Sequence, residues 1–407
     1  MITSFSVENY HSIREEVVLD LCIPGTAPDL PRFRRSASKP DIRLPSVVVF
    51  IGPNGSGKTT LLRALITAAQ LASSALPTDA NNPIKSLRSL SPFFSPETRR
   101  APTRFCIELE ADWLATGEAR QLFHYELAVG RDDSGLKDYS FHYEALFYFP
   151  KGRPRRLFER GGPGEPIYVS GEFGLKPNDE RLKAVREDAS VVATLALFNV
   201  PLAMRIAEDM RLVLWSSNIV YGGKWEPPTK TVIQWFEENS ELKTWAEKLI
   251  QSSDLGIQGF HFGYSLLGEK VVLFDHHGLD ESVHEHCESS GTKRLFHLLR
   301  QIYFALNRGI PLVLDEVDGD LHVDIAGEVL DWFRSRETNP NDAQLFVTSH
   351  NVGLLDDLEK EEVFIVEKDR NGATKVHGAQ DVRGLRRDAR LYPKYRAGVL
   401  GGLPKIG

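Results

Sequence analysis

At 407 residues, 42% hydrophobic and 26% charged, the chain has an ordinary globular composition, with room for two or three packed sub-regions. Its formal net charge of −7 excludes whole-surface attraction to nucleic acid or anionic membrane, so any such contact needs a local basic patch. Three widely spaced cysteines, Cys22, Cys106 and Cys287, imply no disulfide framework and fit a reducing compartment. The opening MITSFSVENYHSI lacks the basic start and apolar run of a signal peptide. The longest apolar stretch, 191–203, is too short to cross a bilayer. A cytoplasmic location with no membrane partner is expected.

Residues 2–7 and 17–21 alternate apolar and polar side chains, which predicts two strands of a hairpin. A loop rich in Pro, Arg and Ser, 24–45, leads into the apolar β-branched strand VVVFI at 47–51. Gly52-Pro53-Asn54-Gly55-Ser56-Gly57-Lys58-Thr59-Thr60 comes next, and then a helical pattern with Leu61, Leu62, Leu65 and Ile66 on one face. This is the G-x-x-x-x-G-K-[ST] phosphate loop in the strand–loop–helix context it requires. Glycines let the backbone come close to an anion. Successive N–H groups and the helix N-terminus then face the phosphates. Lys58 supplies a point charge at the β- and γ-phosphates, and the Thr59 hydroxyl a ligand for Mg2+. A chance Gly-rich turn would not have both flanking elements right, so the chain is expected to bind a nucleoside triphosphate.

Residues 73–102, rich in Ser, Pro and Asn, read as a long connection. Segments 103–111, 121–129, 139–149 and 156–160 predict an antiparallel sheet, and 178–217 and 231–251 predict helices. Strand character returns at 265–274. From 291 onward helices (292–307, 323–335) alternate with strands (311–314, 344–348, 363–366), which predicts a parallel sheet covered on both sides. The expected fold class is α/β: a mixed sheet with a parallel core, an antiparallel β subdomain and a helical insertion. The corresponding division is 1–176, 177–260, 261–380 and a basic tail, 381–407.

Pro311-Leu-Val-Leu-Asp315-Glu316 reads as a buried strand ending in two acids, and ligands of parallel sheets collect at the carboxyl ends of strands. Asp315 is expected to hold Mg2+ with Thr59, and Glu316 to orient and polarise the attacking water. Two solvated acids capping a strand are the bland alternative. Ser289-Ser290-Gly291-Thr292 opens a helix with small residues and free N–H groups suited to an anion, or serves as a plain N-cap. Gln344-Leu-Phe-Val-Thr-Ser-His350 is a further apolar strand, with His350 placed to meet a γ-phosphate or the attacking water.

These motifs, in this order, resemble the ABC-type ATPases of the SMC/RecF/OLD group, and the expected fold is therefore an ABC-ATPase head. The resemblance implies ATP and Mg2+ as cofactors, with Ser289, Ser290 and Gly291 as the signature and Asp315 and Glu316 as Walker B acids. It further implies a D-loop at 319–322 and His350 as the switch histidine. It also implies a homodimer or higher oligomer through the heads, each nucleotide lying between one phosphate loop and the partner's signature. Ser290 and His322 depart from the family pattern, and the Q-loop glutamine has two candidates, Gln70 and Gln121.

A narrower likeness rests on Phe5-Ser-Val-Glu-Asn9-Tyr10-His-Ser12, Asp254-Leu-Gly-Ile257 and Asp315-Glu-Val-Asp318, with the tail Tyr395-x-x-Gly398-x-x-Gly401-x-x-Pro404. It is similar to the bacterial phage-defence and abortive-infection ATPases, including RloA-like members. This implies control of a separate effector, a nuclease or toxin, and a place for Asn9, Tyr10 and Ser12 near the adenine or ribose. A RecF-like repair ATPase on double-stranded DNA and a nucleotide-gated scaffold with little turnover are the alternatives. Nucleic acid is left open as a partner, through basic clusters at 151–160 and 383–396. His276-His277 and His284-Glu-His286-Cys287 lack the second ligand pair of a zinc site.

Overall fold

The computed structural model describes residues 1–73, 90–114, 120–130, 139–215, 229–252, 256–318 and 323–403. Strands β1 (Ile2–Glu8) and β2 (Val17–Asp20) form the expected first hairpin, and β3 (Phe33–Arg35) and β4 (Arg43–Pro45) a small second one. Strand β5 (Val47–Ile51) runs through the glycine loop into α1 (Lys58–Ser73). Then come β6 (Thr103–Ala111), β7 (Gln121–Gly130), β8 (Ser140–Tyr148), β9 (Arg155–Arg160) and β10 (Tyr168–Val169). The middle holds α2 (Val191–Leu197), α3 (Pro201–Arg211), β11 (Leu214–Trp215), α4 (Thr229–Glu238) and α5 (Ser240–Ser252). Strands β12 (Ile257–Tyr264), β13 (Lys270–His276) and β14 (Val283–His284) precede α6 (Ser290–Arg308) and β15 (Leu312–Leu314). The chain continues through α7 (Val323–Arg334), β16 (Leu345–Ser349), β17 (Val363–Lys368), β18 (Thr374–Gly378) and α8 (Leu391–Arg396).

The result is a mixed α/β fold. One sheet, ordered β10-β9-β8-β7-β6-β1-β2, is antiparallel throughout. A second, β11-β15-β16-β5-β17-β18, is parallel up to β17, with β18 antiparallel at its edge, and β12-β13-β14 form a smaller antiparallel sheet. Every residue of β5 and β16 is buried, as expected of strands covered on both faces. Because side chains alternate along a strand, the parallel sheet feeds two cores. Val48, Phe50, Val313, Phe346, Phe364 and Val366 join α1, α2, α3 and the antiparallel sheet. Val47, Val49, Ile51, Leu314, Val347 and Ile365 join α4, α5, α6 and α7 on the opposite side.

Two differences from the sequence reading follow from packing. The middle helices, expected as one insertion, divide between the cores: α2 and α3 lie in the first, α4 and α5 in the second. Each pair buries its apolar stripe on a different neighbour, α2 and α3 on α1, and α4 and α5 on β12, β13 and α6. Strand β12 precedes the expected strand at 265–274. Its sequence IQGFHFGY hides the alternation behind two glycines, and 265–269 forms the turn, with Ser265 N donating to Glu269 O at 2.8 Å.

Helix α6 shows how local signals fix an element. Ser289 caps its start, accepting from Thr292 N at 3.1 Å. Gly309 ends it at φ 64, where an added Cβ would lie 2.1 Å from Asn341 O. Its Phe296 is 1% exposed and meets Phe236, Phe260 and Phe274 at ring-centroid distances of 5.1, 4.8 and 5.2 Å. Replacing Phe296 by Ala is expected to lower stability by about 3–5 kcal/mol, read from the midpoint of a urea transition at unchanged slope.

Candidate functional site

Strands β15, β16 and β5 are neighbours, with Leu314 paired to Val347 and Val347 to Val49. Their carboxyl ends therefore bring Asp315, His350 and the glycine loop to one edge. The loop is shaped by close approach. A Cβ at Gly52 would sit 2.0 Å from Val366 O, and one at Gly57 (φ 110) would sit 2.2 Å from Thr374 Oγ1. Lys58, 5% exposed, donates to Gly52 O at 2.7 Å and Pro53 O at 3.1 Å. Its ammonium lies 3.4 Å from His350 Nδ1. Burial lowers the Lys58 pKa, and the carboxylates of Asp315, Glu316 and Asp318 oppose that shift.

The acids stand against this loop. Thr59 Oγ1 donates to Asp315, at 2.9 Å from Oδ2 and 3.1 Å from Oδ1. A hydroxyl and a carboxylate in contact are hard oxygen donors, which fits a small divalent cation such as Mg2+. Glu316 lies at φ 51, a left-handed conformation that costs on the order of 1–3 kcal/mol for a residue with a Cβ. Its backbone is held from both sides. Glu316 N donates to Thr348 Oγ1 at 2.7 Å, and Arg294 Nη2 donates to the carbonyls of Asp315 at 3.1 Å and Glu316 at 3.0 Å. The Thr348 hydroxyl also donates to Asp315 Oδ1, at 2.5 Å. The Glu316 carboxylate thereby reaches within 3.4 Å of His350 Nε2. Asp318 fixes the end of β16, accepting from His350 N at 3.0 Å, Asn351 N at 2.6 Å and Ser349 Oγ at 3.1 Å.

The geometry thus brings together Lys58, Thr59, Asp315, Glu316 and His350. Ser289 and Ser290 lie exposed at the start of α6, with Gly291 beside them in its first turn. Thr348, Arg294 and Thr374 were not singled out from the sequence. The available signals were a polar pair closing an apolar strand at Thr348-Ser349, and an arginine near the positive end of a helix dipole. Thr374 Oγ1 donates to Ser56 O at 2.9 Å and pairs with Ser12 Oγ at 2.8 Å, so β18 braces the loop from outside.

Other expected placements differ. The Asn9 side chain bridges a loop, donating to Ala101 O at 2.8 Å and accepting from Phe93 N at 2.9 Å. Tyr10, 1% exposed, pairs with Thr67 at 3.0 Å. Both residues hold the interior, and Ser12 alone of the three reaches the loop. Gln70 lies twelve residues beyond Lys58 on α1, about 18 Å along the axis. Gln121 pairs with Ala111 at the far end of the antiparallel sheet, next to Met1. Neither suits a Q-loop. His276 binds Glu288 at 2.6 Å, and the His284 ring stacks on His286. In the basic clusters, Arg387 pairs with Glu361, Arg390 with Asp356 at 2.6 Å, and Arg160 with Glu144 at 2.9 Å. The tail docks on the β17–β18 hairpin: Tyr395 donates to Gly402 O at 2.6 Å, and Gly402 N to Glu367 at 3.0 Å. Residues 319–322, Asp254 and Pro404 lie outside the described residues. A cavity of about 630 Å³ between Phe141, Arg160, Pro163 and Leu182 shares no residue with this site.

A family described as "AAA domain, putative AbiEii toxin, Type IV TA system" matches residues 47–356, a span holding every one of the loop, acid and histidine positions. The chain belongs to that AAA family. SMC head domains are among the solved structures to which the chain is similar. The SMC head domain from Thermotoga maritima is 13% identical, covering 93% of this chain and 98% of that one at a TM-score of 0.41. The Smc head domain with an extended coiled coil from Pyrococcus furiosus, bound to the C-terminal domain of ScpA, is 12% identical. It covers 97% of this chain and 98% of that one at a TM-score of 0.46. No curated protein matches the chain.

The Thr348 hydroxyl offers a direct check on the AAA site. Thr348→Val leaves the buried Glu316 N–H without this acceptor and removes one of the donors to Asp315 Oδ1, and is expected to cost about 1–3 kcal/mol in chemical denaturation. Thr348→Ser, which keeps the hydroxyl, is expected to recover most of it.

Proposed function

We propose that this chain is an ATP-hydrolysing sensor and regulator of a bacterial anti-phage system, controlling a partner effector through ATP-dependent engagement of two heads. One observation carries the hydrolytic part: Thr59 of the phosphate loop touches Asp315 directly, while Lys58, His350 and Glu316 follow one another at 3.4 Å spacings. A nucleotide cradle and two acids otherwise separated by more than 250 residues share one strand edge.

Lys58 and the loop N–H groups hold the β- and γ-phosphates. Thr59 and Asp315 would hold Mg2+, which when bound neutralises developing charge on the phosphate oxygens. Glu316 orients a water and accepts its proton as the water oxygen bonds to the γ-phosphorus. The bond between that phosphorus and the bridging oxygen breaks, and ADP and inorganic phosphate leave. His350, between Lys58 and Glu316, is placed to sense whether the γ-phosphate is there. Ser289 and Ser290, exposed at a helix start, and Gly291 beside them suit the nucleotide of a second copy. The regulatory part has separate support: the family description names a toxin and a TA system, and the Tyr395–Gly402 tail is ordered against the hairpin that braces the loop.

Glu316→Gln is expected to bind ATP, accumulate as a dimer in light scattering, and turn over about 10²–10⁴-fold more slowly. Hydrolysis at the wild-type rate would remove Glu316 from its role. Lys58→Ala removes a charge-assisted contact and should weaken ATP binding about 10–100-fold by titration calorimetry. Chelation of divalent cations should abolish turnover, and restored Mg2+ should return it. Coexpression with a neighbouring nuclease or toxin tests the regulatory part: effector activity should follow the Glu316→Gln state, and indifference to it overturns the proposal.

A further inference from the structure

Arg294 sits where a cation is electrostatically disfavoured. Helix α6 opens Ser290-Gly291-Thr292-Lys293-Arg294 with no acid in its first turn, and a helix N-terminus carries partial positive charge. From there Arg294 Nη2 donates to a pair of carbonyls on another element, those of Asp315 at 3.1 Å and Glu316 at 3.0 Å. The second of these belongs to the residue at φ 51. On the other flank, Thr348 accepts from Glu316 N at 2.7 Å, and Val317 N donates to Thr348 O at 3.1 Å.

We propose that Arg294 is a positioning residue that ties the start of α6 to the peptide carrying Glu316, so that the acid is aimed at the site only while that helix start is seated. Without the guanidinium, one of the two anchors of an otherwise unfavourable conformation is gone. The peptide relaxes toward negative φ, and the carboxylate swings away from His350. The same helix start presents Ser289, Ser290 and Gly291, so a ligand that shifts those residues shifts Glu316 with them. In an engaged pair, the nucleotide held by one copy would thereby set the hydrolytic readiness of the other. This rests on the hydrolytic role proposed for Glu316.

The test uses Arg294→Met, which keeps the bulk and removes the donors, and Arg294→Lys, which restores part of them. In Arg294→Met, kcat is expected to fall about 100-fold, the scale of a misplaced catalytic group, with ATP affinity unchanged by titration. Arg294→Lys should lie between Arg294→Met and wild type. Hydrogen exchange over residues 315–318 reads the same tie without turnover: faster in Arg294→Met, partly restored in Arg294→Lys, and unchanged over 345–349. Wild-type kcat and wild-type exchange in Arg294→Met overturn the inference, as does a loss in both variants that tracks only a lowered melting temperature. If Arg294→Met does not fold, wild-type kcat and exchange in Arg294→Lys overturn it instead. A wild-type chain with no turnover defeats the proposed function, and exchange still decides Arg294.

Discussion

A parallel sheet covered on both faces has nowhere to place polar chemistry except at the ends of its strands. In this chain that constraint is met at one edge, where β15, β16 and β5 finish side by side. The Thr348 hydroxyl is the joint. It faces the Asp315 carboxylate and the Glu316 amide at once, from a position with no exposed surface. Around it Asp315, Glu316 and His350 have fixed relative positions, and Lys58 and Thr59 close the arrangement from the loop.

The rest of the molecule seats those strand ends. The two cores use opposite faces of the same strands, so a residue that slipped register on β16 would exchange Val347 for Phe346 in the wrong core and carry His350 away from the loop. Helix α6 is held at its start by a serine cap, in its body by a cluster of phenylalanines, and near the site by Arg294. The outer brace is of a different kind. Ser12 and Thr374, from opposite ends of the sequence, meet at the Ser56 carbonyl of the loop, and the Tyr395–Gly402 segment docks on the same β17–β18 hairpin at Glu367 and His377.

Much of this was legible in the amino-acid order. The phosphate loop, the Asp-Glu strand and the Ser-His strand are short, contiguous and flanked by apolar runs, so periodicity and local chemistry place them. The antiparallel sheet was visible for the same reason. What local pattern cannot carry is a hydrogen bond between distant positions: Arg294 to the Glu316 carbonyl, Thr348 to Asp315, Thr374 to Ser56. Asn9 and Tyr10 show the converse. Their place in a recognisable opening motif suggested the nucleotide, yet one bridges the 93–102 loop and the other is sealed against Thr67. The middle helices read as one block because helical periodicity gives each an apolar stripe without saying which neighbour will receive it.

The contact between Gly57 and Thr374 reaches beyond the present chemistry. No side chain at 57 is needed to touch a phosphate, yet even a methyl there collides with a residue more than three hundred positions away. Shrinking Thr374 to make room would strip the Ser56 carbonyl of its donor and Ser12 of its companion. These three places are therefore coupled across almost the whole chain: a change at any one of them disturbs the contacts of the others.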